Sequence, residues 1–331
     1  MKNKIRRKYR NIIDKFKDSK NVCLIAHLEP DTDALSSMVV FRAFLEKTFG
    51  LKVDIFADSE ILPANYQPIL EGSKLNPKVK KYDTAVMMDS PNLDRLGKYK
   101  DLFENAKKTF VIDHHSTNNY NGEYNIVEIV SSTCEIVYKI LAEYDYQMSV
   151  AEYGKIYAGL ITDTNSFSVG AITSDTFKIA SVCSEFIDLH AINANFFNSN
   201  TLVNMRLFAK AIETMKVYED GKIIISAVKK SEMSKIHANF NDFTGIINRM
   251  ATIENSQLIC LIQPKDNDYY VSMRANNGYD VSIIAKENGG GGHIGASAFI
   301  SDGKIADIES LILKEFTREL KSKKPSKSKL F

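Results

Sequence analysis

Residues 22–35 read Val22-Cys23-Leu24-Ile25-Ala26-His27-Leu28-Glu29-Pro30-Asp31-Thr32-Asp33-Ala34-Leu35. The first five residues are an apolar run of strand length, and from Ala34 to Phe49 the apolar residues recur at helical spacing. An imidazole and several carboxylates occupy the loop between them. That loop therefore follows a strand and opens a helix, which is where open α/β sheets place their ligands.

The pattern returns downstream. Segments 52–57, 84–88, 109–112 and 123–130 have strand length and are separated by loops or by helical stretches such as 133–144. Strands alternating with helices predict an α/β fold with a mostly parallel sheet. Unusual polar residues stand just past Ala26, Met88 and Ile112, so the fold should bring them together. At the start of the chain, Ile5, Tyr9, Ile12, Ile13 and Phe16 recur at helical spacing and predict an amphipathic opening helix.

The second half predicts a smaller α/β domain, with strands at 222–228, 257–263, 269–275 and 296–300 and helices near 243–251, 280–287 and 304–320. A helical, mostly polar stretch from about 174 to 219 lies between the halves. The expected organisation is a first domain over 1–190, a helical linker over 191–215, a second domain over 216–320 and a tail over 321–331. Alternating Lys and Ser predict a disordered tail.

At 331 residues the chain exceeds what one core usually organises. An apolar fraction of 44% and a charged fraction of 25% are those of a soluble globular protein. The basic segment Met1 to Lys17 lacks the apolar stretch of a secretory signal, and no run reaches membrane-spanning length, so a cytoplasmic protein without a membrane partner is expected. The four cysteines, Cys23, Cys134, Cys183 and Cys260, are scattered among apolar neighbours and read as buried thiols. With 43 basic and 41 acidic residues the net charge is +2, which provides no field for long duplex DNA.

Four clusters carry chemistry. His27, Asp31 and Asp33 share one loop and could face one ion or two, although either Asp could instead cap the following helix. Asp89 follows the 84–88 strand, where an Asp is also a common turn residue. Asp113, His114 and His115 follow the 109–112 strand, and adjacent histidines cannot both enter the core from one extended face. Asp163 ends a short apolar run. Hard oxygen and imidazole ligands without thiolate favour manganese or magnesium over zinc. Several carboxylates gathered in one cleft repel one another unless cations neutralise them, and a di-metal centre would. In the second half, four consecutive glycines followed by His293, with Arg274 nearby, suggest a phosphate clamp in which backbone amides approach an anion; a flexible linker is the alternative.

His27 with Pro30, Asp31 and Asp33, then Asp89, then Asp113 to His115, then Asp163, resembles the four ordered motifs of the DHH phosphoesterase superfamily. The run Asp280 to Ala285 with Gly289 to His293 resembles the signature of the DHH-associated substrate domain. The likeness spans about residues 20 to 316. It implies two Mn2+ ions, with Mg2+ also accepted. His27, Asp31 and Asp89 would hold the first and Asp33, Asp89, His114 and Asp163 the second, Asp89 bridging. A water between the ions would be the nucleophile, His115 would contact the phosphate, and Asp113 would orient a histidine. Arg274, Gly290, Gly291, Gly292 and His293 would hold the far end of a substrate in the cleft between the domains.

The chain departs from the family pattern at Thr32 and Ser36, where glycine is frequent, after Asp163, where an arginine is often found, and at Asn288, where Phe is usual. None of these removes a proposed ligand, but each loosens the inference of substrate. Within the superfamily the two-domain length resembles the group that cleaves very short oligoribonucleotides and 3′-phosphoadenosine 5′-phosphate. A phosphodiesterase of cyclic or linear di-adenylate is the alternative within the class. A catalytically silent nucleotide-binding regulator is the alternative outside it, and would lack a metal ligand. The sequence leaves room for a homodimer and for a role of the basic tail in an RNA-bound assembly.

Overall fold

The computed structural model describes residues 8–59, 62–197 and 201–322. Ile5 and the tail beyond residue 322 lie outside them. The chain forms two compact units, Met1–Ser199 and Asn200–Phe331.

The first unit is built on a five-stranded sheet of β1 (Asn21–Ile25), β2 (Lys52–Phe56), β3 (Thr84–Met88), β4 (Lys108–Asp113) and β5 (Tyr124–Val127). All neighbours are parallel and the order is β2-β1-β3-β4-β5. Every residue of β3 is buried, as expected of a central strand covered on both faces. Helices Thr32–Phe49, Thr133–Glu143 and Val150–Asp163 contribute to the larger core on one face, where Phe16 stacks on Phe110 at 4.1 Å. A smaller core containing Phe56, Leu96 and Phe103 covers the other. Strand order reverses between β1 and β3, so a crevice opens at their carboxyl ends. His27 and Asp89 follow those two ends.

The second unit is a six-stranded mixed sheet ordered β10-β11-β9-β8-β7-β6. Its strands are β6 (Lys216–Tyr218), β7 (Ile223–Ala227), β8 (Leu258–Lys265), β9 (Asp268–Ala275), β10 (Gly291–His293) and β11 (Ala296–Ser301). Helices Ser282–Glu287 and Ile305–Ser322 cover one face, while Leu202–Glu213 and Ile246–Met250 pack on part of the other.

Some elements differ from expectation for local reasons. The opening segment makes one α turn, Arg10–Ile13, and then tightens to a 3-10 helix, Asp14–Asp18. The helix expected over 243–251 is interrupted: a 3-10 turn, Phe240–Phe243, gives way to Gly245 at φ +77°, and helix resumes only at Ile246. Helix 280–287 begins instead at Ser282, because the Asp280 carboxylate accepts from the Ser282 N–H and hydroxyl. Glycines 291 and 292 with His293 form a paired strand and not a linker. All four cysteines are buried thiols. Among the described residues no helix is long and apolar enough to cross a membrane.

Candidate metal centre

His27 leaves β1 with Nδ1 2.8 Å from the Leu28 carbonyl and 3.4 Å from Arg95 Nη2, and its Nε2 faces the carboxylates. Nε2 lies 3.9 Å from Asp31 Oδ2 and 3.8 Å from Asp89 Oδ2. Asp31 Oδ1 accepts from the Ala34 N–H at 3.0 Å as a helix cap, while Oδ2 faces the histidine. Asp33 does not cap its own helix. Its two oxygens accept from the Thr133 and Cys134 amides, at 2.7 and 2.9 Å, the first donors of the Thr133–Glu143 helix.

Asp89 occupies the left-handed region at φ +52°. Such a conformation costs a non-glycine residue about 1 kcal/mol or more, and strain of this kind gathers at functional sites. Asp89 is held by its N–H donating to the Ile112 carbonyl and by the Thr133 hydroxyl donating to Oδ1 at 2.9 Å. Asp89 Oδ1 also lies 3.5 Å from His114 Nε2, and Asp163 Oδ2 lies 3.4 Å from the same nitrogen. His114 in turn donates from Nδ1 to the Val130 carbonyl at 3.2 Å. His115 Nδ1 sits 2.7 Å from Asp113 Oδ1, whose other oxygen accepts from Asn118.

Potential ligand atoms thus fall into three groups, each within 4.8 Å: His27, Asp31 and Asp89; Asp33, His114 and Asp163; Asp89, His114 and His115. Asp89 turns one oxygen to His27 and the other toward His114, so it joins the groups. Burial and the charges of Asp89, Asp163 and Asp31 push Asp33 well above the usual carboxylate range. Burial and Asp31 raise Asp89 against the pull of the three histidines. Burial pushes Asp163 up to about 6, with Asp89 and Asp31 adding to it while His114 pulls the other way. For His114, burial favours the neutral ring, but Asp89 and Asp163 outweigh it and raise the pKa.

Carboxylates lifted by burial and by one another mark a site short of positive charge, and a divalent cation fits this donor set. Millimolar manganese is therefore expected to raise the melting temperature by about 5–10 °C per saturated site, and EDTA to reverse it. In EDTA the raised acids carry no penalty below their unfolded pKa near 4 and a full one above their folded pKa. The raised His114 loses its contribution as pH climbs. Stability of the metal-free protein should then fall as pH rises from about 4 through about 6 and above. A melting temperature indifferent to manganese would contradict the site.

Thr133, Cys134, Asn118 and Gly159 belong to the site without having been expected there. A β-carbon on Gly159 would lie 2.3 Å from Cys134 Sγ and 2.7 Å from Asp33 Oδ1, so the Val150–Asp163 helix approaches through its absence. The run Ser131-Ser132-Thr133 before an apolar helix was a capping signal, and Ser132 does accept from the Glu135 N–H. Nothing in sequence says that the same helix end receives Asp33.

The remaining candidates lie in the second unit. Arg274 pairs in register with Ala296, which pairs with His293, so the two positions share one row across β9, β11 and β10. The Arg274 guanidinium donates from Nε to Asn248 Oδ1 at 2.9 Å. Gly290 and Gly292 approach the Ala298 and Ala296 carbonyls where a β-carbon would not fit, at 2.2 and 2.5 Å.

Residues 21–164 match the DHH family N-terminal domain and residues 220–322 the DHHA1 domain. A probable bifunctional oligoribonuclease and PAP phosphatase NrnA from Streptococcus mutans is 24% identical over 290 residues, covering 86% of this chain and 91% of that protein. An exopolyphosphatase-related protein from Bacteroides fragilis shares the fold with a TM-score of 0.83 at 22% identity, over 94% of this chain and 95% of that one. RecJ from Thermus thermophilus, crystallised with Mn2+, superposes with a TM-score of 0.54 at 11% identity, over 98% of this chain and 56% of that one.

Proposed function

This chain is a DHH family protein, its DHH N-terminal domain followed by a DHHA1 domain, and on that premise we propose that it is a metal-dependent phosphoesterase of short oligoribonucleotides and 3′-phosphoadenosine 5′-phosphate. The observation that carries the reading is Asp89, buried, left-handed and turned to His27 with one oxygen and toward His114 with the other. We assign His27, Asp31 and Asp89 to one divalent cation and Asp33, Asp89, His114 and Asp163 to a second, manganese or magnesium. Such cations, when bound, supply charge to a phosphoryl group and lower the pKa of a water.

The chain's own residues do the rest. The two amides at the start of Thr133–Glu143 hold the Asp33 carboxylate in place, and the Thr133 hydroxyl holds Asp89. Asp113, fixed by Asn118, binds His115 at Nδ1 and leaves Nε2 to meet a phosphate oxygen. The hydrogen bond to Asp113 and the charge of Asp89 outweigh burial and raise the His115 pKa, so the ring is poised to donate. In the second unit, the resemblance supports Arg274, Gly290, Gly291, Gly292 and His293 as substrate contacts. The likeness to NrnA over most of both chains supports short RNA and 3′-phosphoadenosine 5′-phosphate as substrates.

The test is a panel with manganese: 3′-phosphoadenosine 5′-phosphate, a dinucleotide, a five-nucleotide RNA, linear and cyclic di-adenylate, and single-stranded DNA. Mononucleotide release from the short RNAs, with phosphate release from the bisphosphate, is the expected result. Preference for cyclic di-adenylate would reassign the substrate, and no manganese-dependent turnover of any member would end the enzyme reading.

A further inference from the structure

One face of the sheet in the second unit is only half covered. Residues opposite one another across antiparallel strands point to the same side. Tyr270 therefore shares a side with Ile300, Ser272 with Ala298, and Arg274 with Ala296. The alternate residues Val271, Met273 and Phe299 enter the core on the other side. On the first side, Phe240–Phe243 packs over β8 and Ile246–Met250 over β8 and β9. There Asn248 accepts from Arg274 and Phe240 meets Tyr270 edge-on with ring centroids 5.4 Å apart. Beyond β9, Ala296 and Ala298 are part-exposed and Ile300 is 52% exposed. Gly291, paired with Ala298, extends the same floor onto β10.

The floor is made of Gly291, Ala296 and Ala298, with Ile300 at the Tyr270 end, and a cation stands at each end. Among the described residues no carboxylate pairs with Arg274. Lys265 Nζ stands 5.1 Å from the Phe240 ring centroid and 5.7 Å from that of Tyr270, also with no carboxylate partner among the described residues. Tyr270 and Arg274 are four residues apart on β9, about 13 Å along the strand. Two unneutralised cations, a shallow floor between them and an aromatic edge suit a polyanion that carries flat rings, the combination by which single strands are held without sequence preference.

The geometry points to a stacking station for a distal base of the RNA substrate, formed by Tyr270, Phe240 and Lys265, with Arg274 on a phosphate one or two steps along. The inference rests on the phosphoesterase reading and adds to it what would favour oligonucleotides over mononucleotides. Because stacking tolerates any base, the station lends chain-length preference without sequence preference.

Full-length protein in EDTA, which prevents turnover, is titrated with a labelled five-nucleotide RNA and with the same backbone made abasic. Tyr270→Ala should weaken the RNA about five- to a hundredfold and leave the abasic ligand within about twofold. Tyr270→Phe should keep both affinities, and Lys265→Gln should flatten the salt dependence for both ligands. Equal weakening of both ligands by Tyr270→Ala, or of neither, overturns the station. Turnover measured separately with manganese keeps the readings apart. A protein that prefers the base-carrying strand through Tyr270 yet hydrolyses nothing upholds the station and fails the enzyme assignment.

Discussion

Asp89→Asn is expected to lower manganese-dependent turnover about a thousandfold or more while making the metal-free protein harder to unfold. The two effects share one cause. Asp89 is 2% exposed, and burial together with Asp31 already lifts its pKa, so an ionised carboxylate there is held against an electrostatic cost. The amide keeps the shape and, through its oxygen, still accepts from the Thr133 hydroxyl. Asn also tolerates the left-handed backbone at φ +52° better than most residues. Removing the charge should therefore stabilise the metal-free fold by about 1–3 kcal/mol. It also removes the anion that would join two cations, so the melting shift caused by manganese should shrink. Urea melts with EDTA and with manganese, beside turnover assays, check all three. If Asp89→Asn destabilised the metal-free protein as well, Asp89 would be a structural residue; if turnover survived, the joining role would be wrong.

The α/β frame is legible in sequence because its central strands are buried on both faces and so appear as unbroken apolar runs, as at Val22 to Ala26 and Thr84 to Met88. The convergence of His27, Asp31, Asp33, Asp89, His114 and Asp163 is legible for a related reason. Parallel strands put their carboxyl ends on one edge, so residues far apart in sequence arrive together. Less legible is whatever depends on two elements meeting. Asp31 and Asp33 look alike as capping residues, yet one caps its own helix and the other receives the start of a helix a hundred positions on. Nor does sequence disclose that Asn165, Ser166 and Phe167 follow one another in the left-handed region just after Asp163, since none is glycine. In the second unit, the glycine run reads as a phosphate clamp or a flexible linker, and its close passage over the Ala296 and Ala298 carbonyls lies in a strand pairing that composition does not encode.

Gly159→Ala reverses the usual sign of a helix substitution. Within a helix, alanine in place of glycine ordinarily gains up to about 1 kcal/mol. Gly159 lies inside Val150–Asp163, but the added methyl would fall 2.3 Å from Cys134 Sγ, 3.0 Å from its Cβ and 2.7 Å from Asp33 Oδ1. Cys134 and Leu160 are fully buried, so the neighbours have little room to yield. The expected result is a net loss of about 1–3 kcal/mol in urea unfolding. The same displacement pushes Asp33 off the Thr133 and Cys134 amides, and Asp163 closes this helix only four residues later. Manganese-dependent turnover should therefore fall about a hundredfold, because misplacement of a carboxylate proposed to ligate by even an ångström is costly. Adding Cys134→Ala separates the two losses. It removes the sulfur but leaves the contact with Asp33, so stability should recover more than activity does. A Gly159→Ala protein that is more stable than wild type would show that the close approach is not rigid. Full recovery of both properties in the double variant would trace the whole effect to the sulfur, leaving Asp33 undisturbed.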